Sequence, residues 1–282
     1  MMKRPILGLI LILALASMAC SVTLNLPQAN TGPTQTLTVS EARPDAKETK
    51  LTIGMGGGKL EIRPGGEKLV EGTVEYNVAE WKPEIQRSGS EVSISQNIKD
   101  ATFLGGQVVN NWDLRLGSGP TDLTIQAGAY EGKIDLSGVP LTNLSISDGA
   151  SKATVLFDQP NPAVMSTFAY STGASNIDLE GLLNANFDVM NFKGGAGNYT
   201  LDFSGKINRE VQVFIDSGLG NITLKVPKGV NAQINVSGGL NNVSTQGTWT
   251  IEGQEYRTSG AAGPMLKIQV NVGVGNLQLE NK

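Results

Sequence analysis

A four-residue phrase returns at nearly constant spacing through the second half of the chain. It reads Gly173-Ala-Ser-Asn176, Gly195-Ala-Gly-Asn198 and Gly218-Leu-Gly-Asn221. Further copies stand at Gly149-Ala-Ser-Lys152, Gly239-Leu-Asn-Asn242 and Gly273-Val-Gly-Asn276, with a looser Gly128-Ala-Tyr-Glu-Gly-Lys133 upstream. The first glycines are separated by 21, 24, 22, 23, 21 and 34 residues. A period of roughly 20–30 residues marks a stacked architecture in which each repeat buries its apolar face against the next.

The residues around each phrase say what is stacked. Val211, Val213 and Ile215 precede Gly218, and Ile222 and Leu224 follow it, with polar residues between them. Ala232, Ile234 and Val236 stand at the same offsets before Gly239, as do Leu266, Ile268 and Val270 before Gly273. Period two puts one face of a strand in a core and the other in water. Glycine reaches positive φ without a steric penalty, and Asn tolerates it better than most residues, so the phrase is a turn. Recurrent Asn at Asn176, Asn198, Asn221, Asn242 and Asn276 suits a side-chain ladder running from coil to coil. One coil is therefore strand, corner, strand and second turn. The expected fold is all-β: a flattened β-solenoid of about seven coils, rising about 4.8 Å per coil. Two registers stay open. Phe187 and Val189 fall on one parity and Met190 and Phe192 on the other, which a bulge would reconcile. Near Gly128 the phrase carries extra residues.

Composition agrees with thin strands and tight turns: 35 glycines, 17% charged residues and 5% aromatics. No segment after the N-terminus carries a sustained helical stripe. The chain has no histidine and one cysteine. An internal disulfide, a Ser-His or Cys-His nucleophilic pair and a His-containing metal site are thereby excluded. The formal net charge of −4 offers no basic footprint for nucleic acid.

The N-terminus reads as a leader. Met1-Met2-Lys3-Arg4 is followed by an apolar run from Ile6 to Ala16, too short to span a bilayer comfortably and suited to a signal-peptide core. Ser17-Met18-Ala19-Cys20 then resembles the lipobox of bacterial lipoproteins, with Ser17 where leucine is usual. Residues 1–19 are expected as signal peptide, and Cys20, acylated, as a membrane anchor. An ordinary cleaved leader and an uncleaved single-span anchor are the competing readings. Residues 20–36, uncharged and rich in Ser, Thr, Asn, Gln and Pro, are expected as a tether.

Alternation begins at Leu37. Gly56-Gly57-Gly58-Lys59, followed by Leu60 and Ile62, looks like a diverged copy of the corner phrase. No Gly-Lys-Ser/Thr element follows, so it is no phosphate loop. Residues 37–111 are expected as a small N-terminal β subdomain capping the exposed end of a solenoid at 112–282. Residues 247–264 interrupt the repeat, and Trp249, Ile251 and Tyr256 there suggest a hairpin folded over the last coils.

The run from Trp112 through Asp122-Leu123, the Gly-Ala-rich turns and Ile134-Asp-Leu-Ser-Gly138 resembles the toast-rack family. In that family an N-terminal β domain joins a region similar to the C-terminal part of LiaF-type cell-envelope stress proteins. The Gly-x-Gly-Asn turns are also similar to bacterial adhesin-like β-solenoid families. The resemblance covers roughly Leu51 to Lys282. It implies an extracytoplasmic, non-enzymatic protein and supplies no catalytic residue.

Candidate chemistry is sparse. Outward acids such as Asp135, Asp178, Glu180 and Asp202 sit in mixed columns without the repeated pairs of a polysaccharide-cleaving site. Gly194-Gly-Ala-Gly197-Asn-Tyr199 has Tyr where the calcium nonapeptide needs Asp. Asn-x-Ser/Thr triplets at Asn143, Asn198, Asn221 and Asn242 read as by-products of the repeat. Trp249 and Tyr256 pack as a lid or contact a sugar or partner, with Phe214 a weaker contact candidate. The expected function is a membrane-anchored, extracytoplasmic, non-enzymatic structural, adhesion or binding module with no cofactor. Its expected partners are the membrane, through Cys20, and a cell-envelope protein or polysaccharide. An envelope-stress sensing partner of a membrane signalling system is the alternative, and a carbohydrate-active enzyme the third reading.

Overall fold

In the computed structural model, which describes residues 30–97, 108–239 and 242–282, the glycine phrases lie one above another. The leader and Cys20 lie outside the described residues, as does Leu240. The strands are β1 (Thr31–Glu41), β2 (Thr49–Gly66), β3 (Val70–Val78), β4 (Glu84–Ser88), β5 (Glu91–Ser95), β6 (Asn110–Gly117), β7 (Thr121–Asp135) and β8 (Leu141–Leu156). They continue as β9 (Met165–Glu180), β10 (Phe187–Asp202), β11 (Val211–Val226), β12 (Asn231–Gly238), β13 (Asn242–Gln246), β14 (Trp249–Glu252), β15 (Glu255–Thr258) and β16 (Met265–Asn281). All belong to one sheet. Short 3-10 turns at Ala79–Trp81 and Leu182–Ala185 are the helical segments among the described residues, and no helix there is long and apolar enough to cross a membrane.

Each long strand is a full coil bent at its glycine corner. In β11, Val211, Val213 and Ile215 turn inward before the corner, and Ile222, Leu224 and Val226 turn inward after it. The two arms meet across the core: the rings of Phe192 and Tyr199, from opposite arms of β10, are edge-to-face with centroids 5.0 Å apart. Successive coils pair in parallel and in register, with Asn176 beside Asn198 and Asn198 beside Asn221. The second turn brings Leu136, Phe157, Leu182 and Phe203 into the core.

The parity conflict before Gly195 is a shared corner. Phe187, Met190 and Phe192 all point inward, and so do Met165, Phe168 and Tyr170 in β9 and Leu141, Leu144 and Ile146 in β8. Val189 is displaced to a half-buried position. Three adjacent coils make the same offset, so their ladder stays in register. The corner at Gly128 has no extra residues, contrary to expectation: Ala129, Tyr130 and Glu131 pair one for one with Ala150, Ser151 and Lys152, and Tyr130 turns inward and lays its ring over Gly132, where a Cβ would lie 2.4 Å from the ring.

The order of the stack is not the order of the chain. The rungs run β5 with β6, β2, β7, β8, β9, β10, β11, β16, then β12 with β13. At the C-terminal end, β12 and β13 leave a rung empty beside β11, and β16 returns to fill it, parallel to both neighbours. At the other end, β2 is laid first, β5 and β6 pair with its outer side and β7 with its inner side. The phrase-bearing coils therefore stack as expected, but the last two exchange places. The interrupting segment 247–264 forms the β14–β15 hairpin expected from its sequence and provides the length for this return.

Two sequence boundaries are revised by the pairing. β1 begins at Thr31, so the last residues of the expected 20–36 tether are strand, paired antiparallel with β3. The boundary at 111/112 falls inside β6, and β2 pairs with β7 from Thr49 to Ile62, so no break separates the 37–111 segment from the stack. What remains of a cap are antiparallel additions. β3 and β1 cover β6, β4 covers β5, and β15 with β14 covers β12. Such additions pair the backbone groups that an open parallel stack would leave exposed.

Candidate binding trough along the glycine corner

Residues at one register position form columns that run along the stack. The corner glycines form the tightest. An ideal Cβ on Gly173 would lie 2.3 Å from the carbonyl oxygen of Gly149. On Gly195 it would lie 2.4 Å from that of Gly173, and on Gly273 2.6 Å from that of Gly218. Gly239 meets Gly273 at 2.5 Å, in keeping with the exchanged order. Gly149 and Gly218 have slightly more room, at 3.1 and 2.9 Å from the oxygens of Gly128 and Gly195. Glycine is required because backbone stacks directly on backbone, and not by the expected positive φ, which neither these first glycines nor the phrase's Asn residues adopt. The Asn ladder stands outside this column. Asn198 Nδ2 donates to Asn176 Oδ1 at 2.9 Å, Asn221 to Asn198 at 2.9 Å and Asn276 to Asn221 at 2.8 Å. Asn242 pairs beside Asn276 on the outermost rung.

A column without side chains leaves a trough. One stretch, about 430 Å³, runs over β8 to β16 beside the glycines, and a second, about 460 Å³, runs over β5, β2, β7 and β8. Ser147 and Asp148 line both, which makes the trough continuous. Its outer wall is the polar column Ser147, Ser171, Lys193, Asp216 and Asn271. Beyond the glycines stands a column of exposed apolar residues: Ala129, Ala150 and Ala174, then Leu219 and Val274, which are 56% and 49% exposed.

The base of the trough is polar and reaches into the core. Asp148 Oδ2 accepts the Tyr170 hydroxyl at 2.8 Å, and Asp148 Oδ1 accepts the Thr172 hydroxyl. The Thr172 and Ser175 hydroxyls are 2.5 Å apart, and Ser151 donates its N–H to Ser175 Oγ at 2.9 Å. The hydroxyls of Tyr199 and Ser217 are buried without a hydrogen-bond partner, whereas that of Tyr130 is coupled to Tyr170 and Asp148. Burial pushes the Tyr130 and Tyr170 phenols above the ordinary tyrosine range, because the phenolate would lose its hydration. Tyr199 is raised by burial first and by the nearby Asp148 carboxylate second. Among the described residues no three His, Cys, Asp or Glu side chains converge on a point. The trough can bind through hydroxyl, amide and charged groups along its length.

Residues 28–167 match the family model described as the N-terminal domain of toast_rack, DUF2154. This is a toast-rack family protein. The match to the toast-rack model runs from just before β1 into β9, across the expected boundary at 111/112. The toast-rack chain also shares its fold with a crystal structure of a proposed cell adhesion protein from Clostridium sporogenes ATCC 15579. That similarity covers 89% of this chain and 99% of the other, at 24% identity and a TM-score of 0.51. A proposed adhesin from Bacteroides fragilis NCTC 9343 aligns over the same shares at 10% identity and a TM-score of 0.37. No curated protein matches the chain.

The aromatic contact candidates of the toast-rack chain lie elsewhere. Trp249 and Tyr256 sit half-buried on the β14–β15 hairpin, packed against the core, and neither lines the trough. Trp249 Nε1 donates to the Gln246 carbonyl at 3.0 Å. Phe214 is half-buried on the outward face of β11. Sequence reasoning missed Asp148, Thr172 and Ser217. The available signal was a polar residue at an inward position immediately before three of the corner glycines, Gly149, Gly173 and Gly218.

Proposed function

We propose that this toast-rack protein is a non-enzymatic binding module, anchored by acylated Cys20 at the extracytoplasmic face of the cell membrane and used for adhesion. The observation that carries the binding role is the trough: a continuous, solvent-open surface of mixed polarity along a stack whose backbone is tied rung to rung. An open polar trough suits holding an extended ligand better than enclosing a reacting one. The anchoring role is supported by the leader and by the position of the single cysteine directly after Ser17-Met18-Ala19. The shared fold with a proposed cell adhesion protein supports the adhesive use.

The test expresses the full chain in a bacterial host and follows two readouts. Feeding a fatty-acid probe should label the wild type and leave Cys20→Ala unlabelled, with Cys20→Ala released from the membrane fraction. Cells displaying the wild type should adhere to purified cell-envelope material more than cells with an empty vector. Equal labelling of wild type and Cys20→Ala would remove the anchor from the reading, and equal adhesion would remove the binding role.

A further inference from the structure

We infer that the trough takes a β-1,4-linked, N-acetylated aminosugar chain lying along the stack axis; this rests on the binding-module reading and names its ligand class. The periodicity comes first. Rungs repeat every 4.7–4.9 Å or so, and an extended pyranose chain advances by a closely similar step per sugar. Successive sugars of a β-1,4 chain are turned by half a rotation, so a linear glycan on the corner presents the same edge to the same columns at every second sugar, two rungs on. The cross-section comes second. A pyranose has an apolar face of C–H groups and an edge of hydroxyls. The trough has exposed methyl groups beyond the glycines and the polar column from Ser147 to Asn271 on the other side.

The acetamido group is indicated by what gathers on β10, β11 and β16. Lys193 and Asp216 are register partners on the polar wall, and Asp216 accepts a hydrogen bond from Asn271 Nδ2 at 3.2 Å. Asp216 has acceptor capacity left for an amide N–H, and Lys193 is a donor for the amide carbonyl. Leu219 and Val274, the largest apolar groups of the far lip, lie at the same end and suit the acetyl methyl. At the floor between them, Ser217 Oγ is buried and has no partner. A buried hydroxyl without a partner is destabilising, and a sugar hydroxyl or bridging water at this point would satisfy it.

Titration calorimetry of the full chain in detergent tests this, with chitohexaose as probe and N-acetylglucosamine and cellohexaose as comparators. Chitohexaose is expected to bind at least tenfold more tightly than the single sugar and than cellohexaose. Ser171→Trp, an outward substitution that fills the trough, is expected to weaken binding tenfold or more with the melting temperature unchanged. Lys193→Ala should weaken chitohexaose and leave cellohexaose unaltered. Purified peptidoglycan sacculi in a pelleting assay form a second arm; retention that Ser171→Trp abolishes identifies the envelope glycan as the source. Absence of chitohexaose binding at millimolar concentration, or binding indifferent to Ser171→Trp, overturns the inference. If cells displaying the chain still adhere to envelope material in that event, the binding-module reading stands and only the ligand class falls.

Discussion

The side chain of Asn161 holds both backbone groups of Leu141: Nδ2 donates to the Leu141 carbonyl at 2.8 Å, and Oδ1 accepts the Leu141 N–H at 3.0 Å. The same Nδ2 donates to Ala185 O at 3.1 Å, and Oδ1 also accepts the Ala163 N–H. A single buried amide thus stands in for a missing stretch of ladder between the second turns of three coils. Replacing it with Ala strands several buried polar groups, each costing about 1–3 kcal/mol when unpaired. Asn161→Ala should lower unfolding free energy by about 3 kcal/mol. The exposed ladder residue Asn198→Ala should cost less than about 1 kcal/mol. Urea denaturation of both variants checks the contrast.

The corner sets a steric limit. An ideal Cβ on Gly197 would lie 1.7 Å from the Ser175 carbonyl oxygen, backbone against backbone. No side-chain rotation relieves that, so rungs β9 and β10 must separate. Gly197→Ala is expected to destabilise by more than about 3 kcal/mol, and the exposed Ala174→Ser on the same corner by less than about 0.5 kcal/mol. Thermal melts of the two variants separate a required glycine from a tolerant neighbour.

Much of this was readable in advance. The corner phrase and the alternation around Val213 and Ile222 prescribe parallel coils, because both are local consequences of backbone geometry and burial. The Asn ladder followed from recurrence at one offset. The exchange of β16 with β12 and β13 was not readable: β12 and the first arm of β16 carry the same inward apolar alternation, which fits either rung, and β13 has only Val243 to mark its place. The strand at Thr31 was missed because its outer residues are exposed and polar, so no alternation marks them. Asp148 and Thr172 were missed because an inward polar residue reads as a defect until its partners are in place.

Tyr130 and Gly132 share one volume, and this yields a coupling experiment. Gly132→Ala places a Cβ 2.4 Å from the Tyr130 ring and should cost about 1–3 kcal/mol. In a Tyr130→Ser background the same change should cost close to nothing, giving a coupling energy above about 1 kcal/mol in a double-mutant cycle. Additive effects would mean that the ring does not fill the space above Gly132.

The buried phenols set an alkaline limit. Tyr130, Tyr170 and Tyr199 have raised values in the folded chain, so the neutral phenol is what the fold holds. Their contribution is fully present below the unfolded tyrosine pKa near 10. Above it the unfolded chain ionises and the folded chain does not, so stability falls as pH rises. Unfolding free energy should be flat with respect to these groups from neutral pH to about 9 and decline beyond about 10. Phenolate absorbance of the native chain should show only part of its five tyrosines titrating before unfolding.

The order of the rungs can be read by cross-linking. Thr223 on β11 is the register partner of Gln278 on β16, and Gln278 that of Ser244 on β13. Neighbouring rungs lie about 4.8 Å apart, within disulfide reach, and alternate rungs lie about 10 Å apart, beyond it. With Cys20 replaced by Ser, oxidation of Thr223→Cys/Gln278→Cys should close a disulfide in the native chain, and Thr223→Cys/Ser244→Cys should stay reduced. The reverse pattern, a bond between positions 223 and 244 and none between 223 and 278, would place the coils in chain order and contradict the fold described above.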